Sequence, residues 1–133
     1  MSLFGKLFSN SDNKDSEHPR LRWTDLTDIQ QLDDLVVASH EVPVIIFKHS
    51  TRCAVSRMAL RQFESHYDIE NARTYFLDLL EHRQISDEIA RRFEVVHQSP
   101  QILLIKDGKC IFTESHAEID AEDLKDKIKT SFV

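Results

Sequence analysis

Cys53 and Cys110 are the only thiols in 133 residues, and the first stands in "FKHSTRCAVSRMAL", residues 47 to 60, between a strand-like apolar run and a helix-like one. The loop beyond the carboxyl end of a strand is where a site can sit, and the helix that follows offers backbone N–H groups without partners. Cys53 falls at that first turn. The free amides and the positive end of the helix dipole favour a thiolate, which is the nucleophilic form of cysteine. His49, Arg52 and Arg57 are close in sequence and are expected to add positive charge. Free cysteine is often a small buried hydrophobe, but an arginine directly before it and a serine three residues after suit a solvent-facing turn better. Ser56 is expected one helical turn along on the same face, its hydroxyl able to donate to the sulfur. A serine cannot close a disulfide. The chemistry expected is therefore exchange at one cysteine, with any mixed disulfide on Cys53 released by an outside thiol.

Cys110 is a poor resolving partner. If Pro100 begins the strand beside the site, Cys110 lies past a hairpin, about six residues of roughly 3.3 Å each from the Cys53 end of the sheet. A disulfide needs α-carbons within about 7 Å, so Cys110 is expected to be a packed strand residue. No paired Cys or His spacing supports a four-ligand zinc site, and no metal is expected. "HQSPQILL" is the second informative stretch: Pro100 precedes an apolar strand and follows Gln98 and Ser99. It reads either as a plain strand start or as a cis peptide that exposes the Ser99 backbone to a partner chain.

The elements that must position these residues are legible from periodicity. Thr27 and Gln30 fit a capping box, and Ile29, Leu32, Leu35 and Val36 recur at helical spacing to near Ser39. "VPVIIF", residues 42 to 47, is apolar on both alternating faces, which predicts a central strand covered on both sides, with Lys48 and His49 marking its carboxyl end. Val55, Ala59 and Phe63 give residues 53 to 66 a buried helical stripe. "RTYFLDLL" predicts a second strand, and Ser86 is expected to open a short helix through Ile89 and Phe93. "QILLIKDGKCIFTE" predicts a hairpin turning at Asp107 and Gly108, and Leu124 and Ile128 mark a last helix from Ala121 to about Ser131. The order helix, strand, helix, strand, helix, hairpin, helix specifies an α/β fold: a central mixed β-sheet flanked by helices, closed by a C-terminal β-hairpin and helix.

Composition bounds the rest. With 41% apolar residues, the chain is sized for one domain, expected at residues 21–133 after a flexible N-terminal segment at 1–20. In that segment Leu3, Phe4, Leu7 and Phe8 could form one face of a helical turn, and Ser2 excludes myristoylation. A net charge of -6 argues against nucleic acid as a partner. No run approaches a membrane span and the first residues lack a secretory layout, so no membrane association and a cytoplasmic location are expected, where two cysteines stay reduced.

The helix-led strand, a Cys-X-X-Ser opening the next helix, a Ser-Pro before a strand and the hairpin with Gly108 together resemble the thioredoxin-like fold over about residues 22 to 133. More narrowly, "FKHSTRCAVSRMAL" resembles the monothiol bacilliredoxins of the YtxJ-like branch, whose signature is Cys-Pro-Ile-Ser after a "KHS" segment. His49, Ser50, Cys53 and Ser56 match it, while Ala54 and Val55 replace the proline and isoleucine. The resemblance implies removal of bacillithiol from protein mixed disulfides. Cys53 would be the nucleophile, Ser56 the former resolving position, and Pro100 a cis-proline that helps hold substrate beside Ser99. It implies no tightly bound cofactor: bacillithiol is a co-substrate, and proteins carrying mixed disulfides are the partners. Arg52, His49, Arg57 and His97 are the candidates to meet such a substrate.

Rivals are weighed on the same residues. A peroxidase of related fold needs Pro and Thr where this chain has Ile46 and Ser50, and a Cys-X5-Arg phosphatase loop needs Arg at Ala59. A monothiol glutaredoxin-like iron–sulfur carrier, whose Cys-Gly-Phe-Ser differs at both middle positions, and a non-catalytic thioredoxin-like binding module remain as alternatives.

Overall fold

The computed structural model describes residues 21–132; the segment 1–20, with Leu3, Phe4, Leu7 and Phe8, lies outside them. Five strands form one mixed sheet: β1 (Trp23–Asp25), β2 (Val44–His49), β3 (Arg73–Asp78), β4 (Gln101–Lys106) and β5 (Lys109–Ser115), in the order β1-β3-β2-β4-β5. β1 and β2 run parallel to β3, β4 is antiparallel to β2, and β5 is antiparallel to β4. Among the described residues four α-helices cover it: α1 (Gln30–Ala38), α2 (Ala54–His66), α3 (Arg83–Phe93) and α4 (Ala121–Ser131), with a short 3₁₀ turn at His116–Glu118 before the last.

The alternation in β2 assigns the two layers. Val44 and Ile46 pack with Leu32 and Leu35 of α1 and Ile85, Ile89 and Phe93 of α3. Ile45 and Phe47 pack with Ala59 and Phe63 of α2 and Ala121 and Leu124 of α4. Every residue of β2 is buried, because a central strand with helices on both faces has no solvent side. The turn between β4 and β5 uses Asp107 at φ 52° and Gly108 at φ 77°, the two positive values that a two-residue hairpin of the mirror-image type requires. Ser39 receives this turn: its carbonyl accepts from Asp107 N–H at 3.0 Å and its Oγ accepts from Gly108 N–H at 2.9 Å.

Four details differ from the sequence expectations. A three-residue edge strand, β1, precedes the first helix; it is too short and too exposed to leave a period-2 pattern. The Thr27–Gln30 capping box does not form: Asp28 Oδ1 accepts from Gln30 N–H at 2.9 Å, and Gln31 Oε1 accepts from Thr27 N–H at 2.7 Å and Asp28 N–H at 3.0 Å. Helix α3 begins at Arg83, so Ser86 is buried within it instead of opening it. Lys48 and His49, expected to mark the carboxyl end of the strand after residue 47, belong to β2 itself and are 0% and 5% exposed. Lys48 finds its partners far along the chain, in His97 and Gln101, and His49 finds Ser56 in the following helix.

One carboxyl group makes the fold pH-sensitive. Burial pushes Glu114 on β5 up to about 8, aided by a side-chain hydrogen bond with Asp123 of α4 and opposed by the Asp120 backbone N–H that it accepts. Its folded pKa is above its ordinary value, so its stabilising contribution is complete below about 4.5 and is lost as pH rises through about 8. Glu114→Gln is therefore expected to flatten the fall in urea midpoint between these values and to make the variant more stable than the parent at pH 9. A parent midpoint that does not fall across this window would contradict the assignment.

Candidate functional site

The site is built at the carboxyl end of β2. After His49 the chain makes a short turn, in which Cys53 N–H donates to Ser50 O at 3.2 Å, and Cys53 then becomes the N-cap of α2 in extended conformation. Its carbonyl accepts the first helical bond, from Arg57 N–H at 3.1 Å, which leaves the amides of the first turn without helical partners. No acidic residue occupies that turn. Arg57 also reaches back, its guanidinium donating to Thr51 O at 3.1 Å and bracing the loop that carries the thiol. Cys53 itself is partly exposed and free.

Ser56 does not serve the sulfur as the helical spacing suggested. It is sealed at 0% exposure, its Oγ accepts from Ser50 N–H at 3.0 Å, and it lies 2.7 Å from His49 Nδ1. The hydroxyl already accepts a backbone N–H, so its own proton is free for Nδ1, and the pair is satisfied with a neutral imidazole. Burial lowers His49 below its ordinary value; Asp78 raises it, Arg57 lowers it and Glu64 raises it. The expected cation beside the thiol is thus a buried neutral ring that braces the loop, packed 5.3 Å from Phe76.

Pro100 comes alongside because of sheet register. Lys48 pairs across strands with Gln101, which places the residue before Gln101 at the His49 end of β2. The Ser99–Pro100 peptide is cis, and Pro100 O accepts from His116 N–H at 2.9 Å, tying the loop to the 3₁₀ turn. Ser99 is partly buried, and its Oγ is shielded with no hydrogen-bond partner. Arg52 is exposed. It lines an open groove of about 500 Å³ with Thr51, Asp78, Leu80 and Glu81. A second groove of about 260 Å³, apolar in character, runs between Val55, Met58 and Gln62 of α2 and the His116–Ile119 turn. A charged surface and an apolar one therefore border the same thiol-bearing turn.

The sheet separates the two cysteines. Cys110 pairs with Ile105, and Ile105 with Val44, at the far end of β2 from Cys53. The five strand steps from Val44 to His49 alone span about 17 Å. Burial pushes the Cys110 thiol up, and its Sγ donates to Phe112 O at 3.4 Å. Among the described residues no three His, Cys, Asp or Glu side chains converge as a metal site, and no helix is long and apolar enough to cross a membrane.

The family model of the monothiol bacilliredoxin BrxC matches residues 24–124. The chain belongs to the monothiol bacilliredoxin family. Solved structures agree on the fold. A protein described as a candidate oxidoreductase with a thioredoxin fold is 28% identical, with a TM-score of 0.66 over 75% of this chain and 88% of that one. Thioredoxin from Malassezia sympodialis is 21% identical, with a TM-score of 0.66 over 86% and 94% of the two chains. Mitochondrial thioredoxin 3 from Saccharomyces cerevisiae is 22% identical, with a TM-score of 0.61 over 81% and 94%. The bacilliredoxin match and the thioredoxin-like fold support a redox function of the thiol–disulfide oxidoreductase kind, acting on protein disulfides.

Two residues at this bacilliredoxin site escaped the sequence reading. Lys48, read only as marking the end of its strand, and Gln101, given no role, form a buried hydrogen bond of 3.1 Å beside the Ser99–Pro100 loop. The available signal was a lysine following a run apolar on both faces, where a solvated end would break the strand's burial.

Proposed function

We propose that this bacilliredoxin removes bacillithiol from protein mixed disulfides through Cys53 alone. The single observation that carries this reading is the contrast within one helical turn: a partly exposed cysteine at the N-cap of α2 and, three residues on, a sealed serine already bonded to His49 and Ser50. The Cys53 thiolate attacks the bacillithiol sulfur of the mixed disulfide, the S–S bond breaks, and the target protein leaves as a thiolate. Bacillithiol is then held on Cys53 as a new disulfide. With no thiol at Ser56 to displace it, a second bacillithiol thiolate attacks, which frees Cys53 and yields oxidised bacillithiol. The target sulfur returns to a thiol while one free bacillithiol is oxidised and joins the one already at the disulfide level, so electrons balance without a bound cofactor.

The surroundings suit both halves of such a substrate. Arg52, in its open groove, can meet a carboxylate of bacillithiol. The apolar groove along Val55 and Met58 suits the polypeptide, and Ser99 and Pro100, at the His49 end of β2, would hold it from the neighbouring strand. His49 braces the turn from below and does not itself touch the substrate. The cytoplasm is the compartment in which a single reduced thiol of this kind can turn over.

Mass spectrometry after exposure to oxidised bacillithiol and, separately, to oxidised glutathione tests the reading. A bacillithiol adduct on Cys53 that free bacillithiol removes is expected. Absence of that adduct, or an adduct confined to Cys110, would overturn it.

A further inference from the structure

Lys48 is the one fully enclosed charged side chain among the described residues, on the α1–α3 face of the sheet. An ammonium withdrawn from water costs several kcal/mol unless its N–H groups find acceptors. Here Nζ lies 2.7 Å from His97 Nδ1 and 3.1 Å from Gln101 Oε1. The two acceptors flank Ser99 and Pro100: His97 lies in the loop after α3 and Gln101 is the first residue of β4. Gln101 extends the grip: its Nε2 donates to Val96 O at 3.0 Å, and its Oε1 also receives Gln98 N–H at 3.4 Å. One buried amine thus holds residues 96–101 at both ends.

The same contact decides where the proton of His97 sits. Burial pulls Lys48 down to about 8 against the pull of Asp87, so near pH 7 it is mainly an ammonium, which donates and cannot accept. His97 Nδ1 must then be the acceptor, with Ser86 Oγ at 3.4 Å as a second and weaker neighbour. Burial, then Lys48, lowers His97 below its ordinary value; Asp87 raises it and Arg83 lowers it, and the ring stays neutral. A neutral ring that accepts at Nδ1 carries its proton on Nε2. His97 is otherwise exposed, and its Nε2 has no partner among the described residues.

We propose that Lys48 is a positioning residue for exchange at Cys53: it fixes His97 as the Nε2–H tautomer and ties residues 96–101 to β2, so that His97 donates to a carbonyl or carboxylate oxygen of the incoming mixed disulfide. This rests on the exchange reaction proposed above. It assigns His97 a defined donor role in place of a surface charge, and it gives the lysine before His49 a task that a leucine could not perform.

The test uses the full chain and three variants, Lys48→Met, His97→Ala and His97→Gln. Nitrogen NMR of the labelled parent should show His97 with a bare Nδ1 and a protonated Nε2. Lys48→Met and His97→Ala should each raise KM for a bacillithiolated protein by about tenfold, the scale of one lost charge-assisted hydrogen bond, with kcat little changed. His97→Gln, whose amide can accept from Lys48 and donate outward, should restore KM to within about threefold. Alkylation of Cys53 by iodoacetamide, which needs no docking, should stay within about twofold in all three. A protonated Nδ1, an unchanged KM in His97→Ala, or alkylation slowed as much as exchange would each overturn the proposal. The His97 pair decides the matter if Lys48→Met does not fold. A parent chain that exchanges nothing would refute the proposed function instead, and the NMR result would still judge the tautomer.

Discussion

Cys53→Ser is expected to lower mixed-disulfide exchange by at least about three orders of magnitude, because a serine hydroxyl is almost wholly protonated near neutral pH and cannot accept a sulfur in a reducible bond. Loss of Cys53 removes the only thiol at the carboxyl end of β2 among the described residues, since Cys110 lies level with Val44 at the other end of the strand. Cys110→Ser should therefore leave the rate within about twofold. The measurement is release of bacillithiol from a model protein, followed by mass, with the fold of each variant checked by circular dichroism. Retention of most activity in Cys53→Ser, or its loss in Cys110→Ser, would place the chemistry on the wrong sulfur.

Ser56→Ala is expected to lower stability by about 2–4 kcal/mol, because it leaves the buried His49 Nδ1 and the partly buried Ser50 N–H without their partner, a buried unpaired group costing roughly 1–3 kcal/mol. Urea denaturation of parent and variant at pH 7 reads this directly. The same variant should alkylate at Cys53 at a rate close to the parent's, since the serine hydroxyl is engaged with His49 at 2.7 Å and makes no bond to the sulfur. The opposite pattern, unchanged stability with slowed alkylation, would mean that the hydroxyl serves the thiol and that the His49 contact is incidental.

These two predictions separate what spacing can reveal from what it cannot. Cys53 at a strand-to-helix junction was legible because the strand period and the helix period meet there, and the helix does begin at Ala54. The direction of Ser56 was not. Helical spacing places it one turn from Cys53, but the choice between facing the sulfur and facing inward depends on His49, which the strand turns toward α2. His49 was misjudged for a related reason: a histidine beside two arginines looks like a cation until the sheet buries it at 5% exposure. Likewise α3 starts three residues before the Ser86 that was expected to open it, because a serine can also be buried inside a first turn when a loop histidine stands nearby.

The amino-acid sequence by itself determined the alternation that buries β2 on both faces, the two positive-φ positions of the hairpin, and the single cysteine at the start of α2, because each is a local pattern of side-chain size and backbone freedom. Only the tertiary structure decided that Lys48 meets His97 and Gln101, that Ser56 turns to His49, and that the Ser99–Pro100 peptide at the His49 end of β2 is cis. The Lys48 contacts join residues about fifty positions apart, and sheet register, which local periodicity does not encode, brings them together.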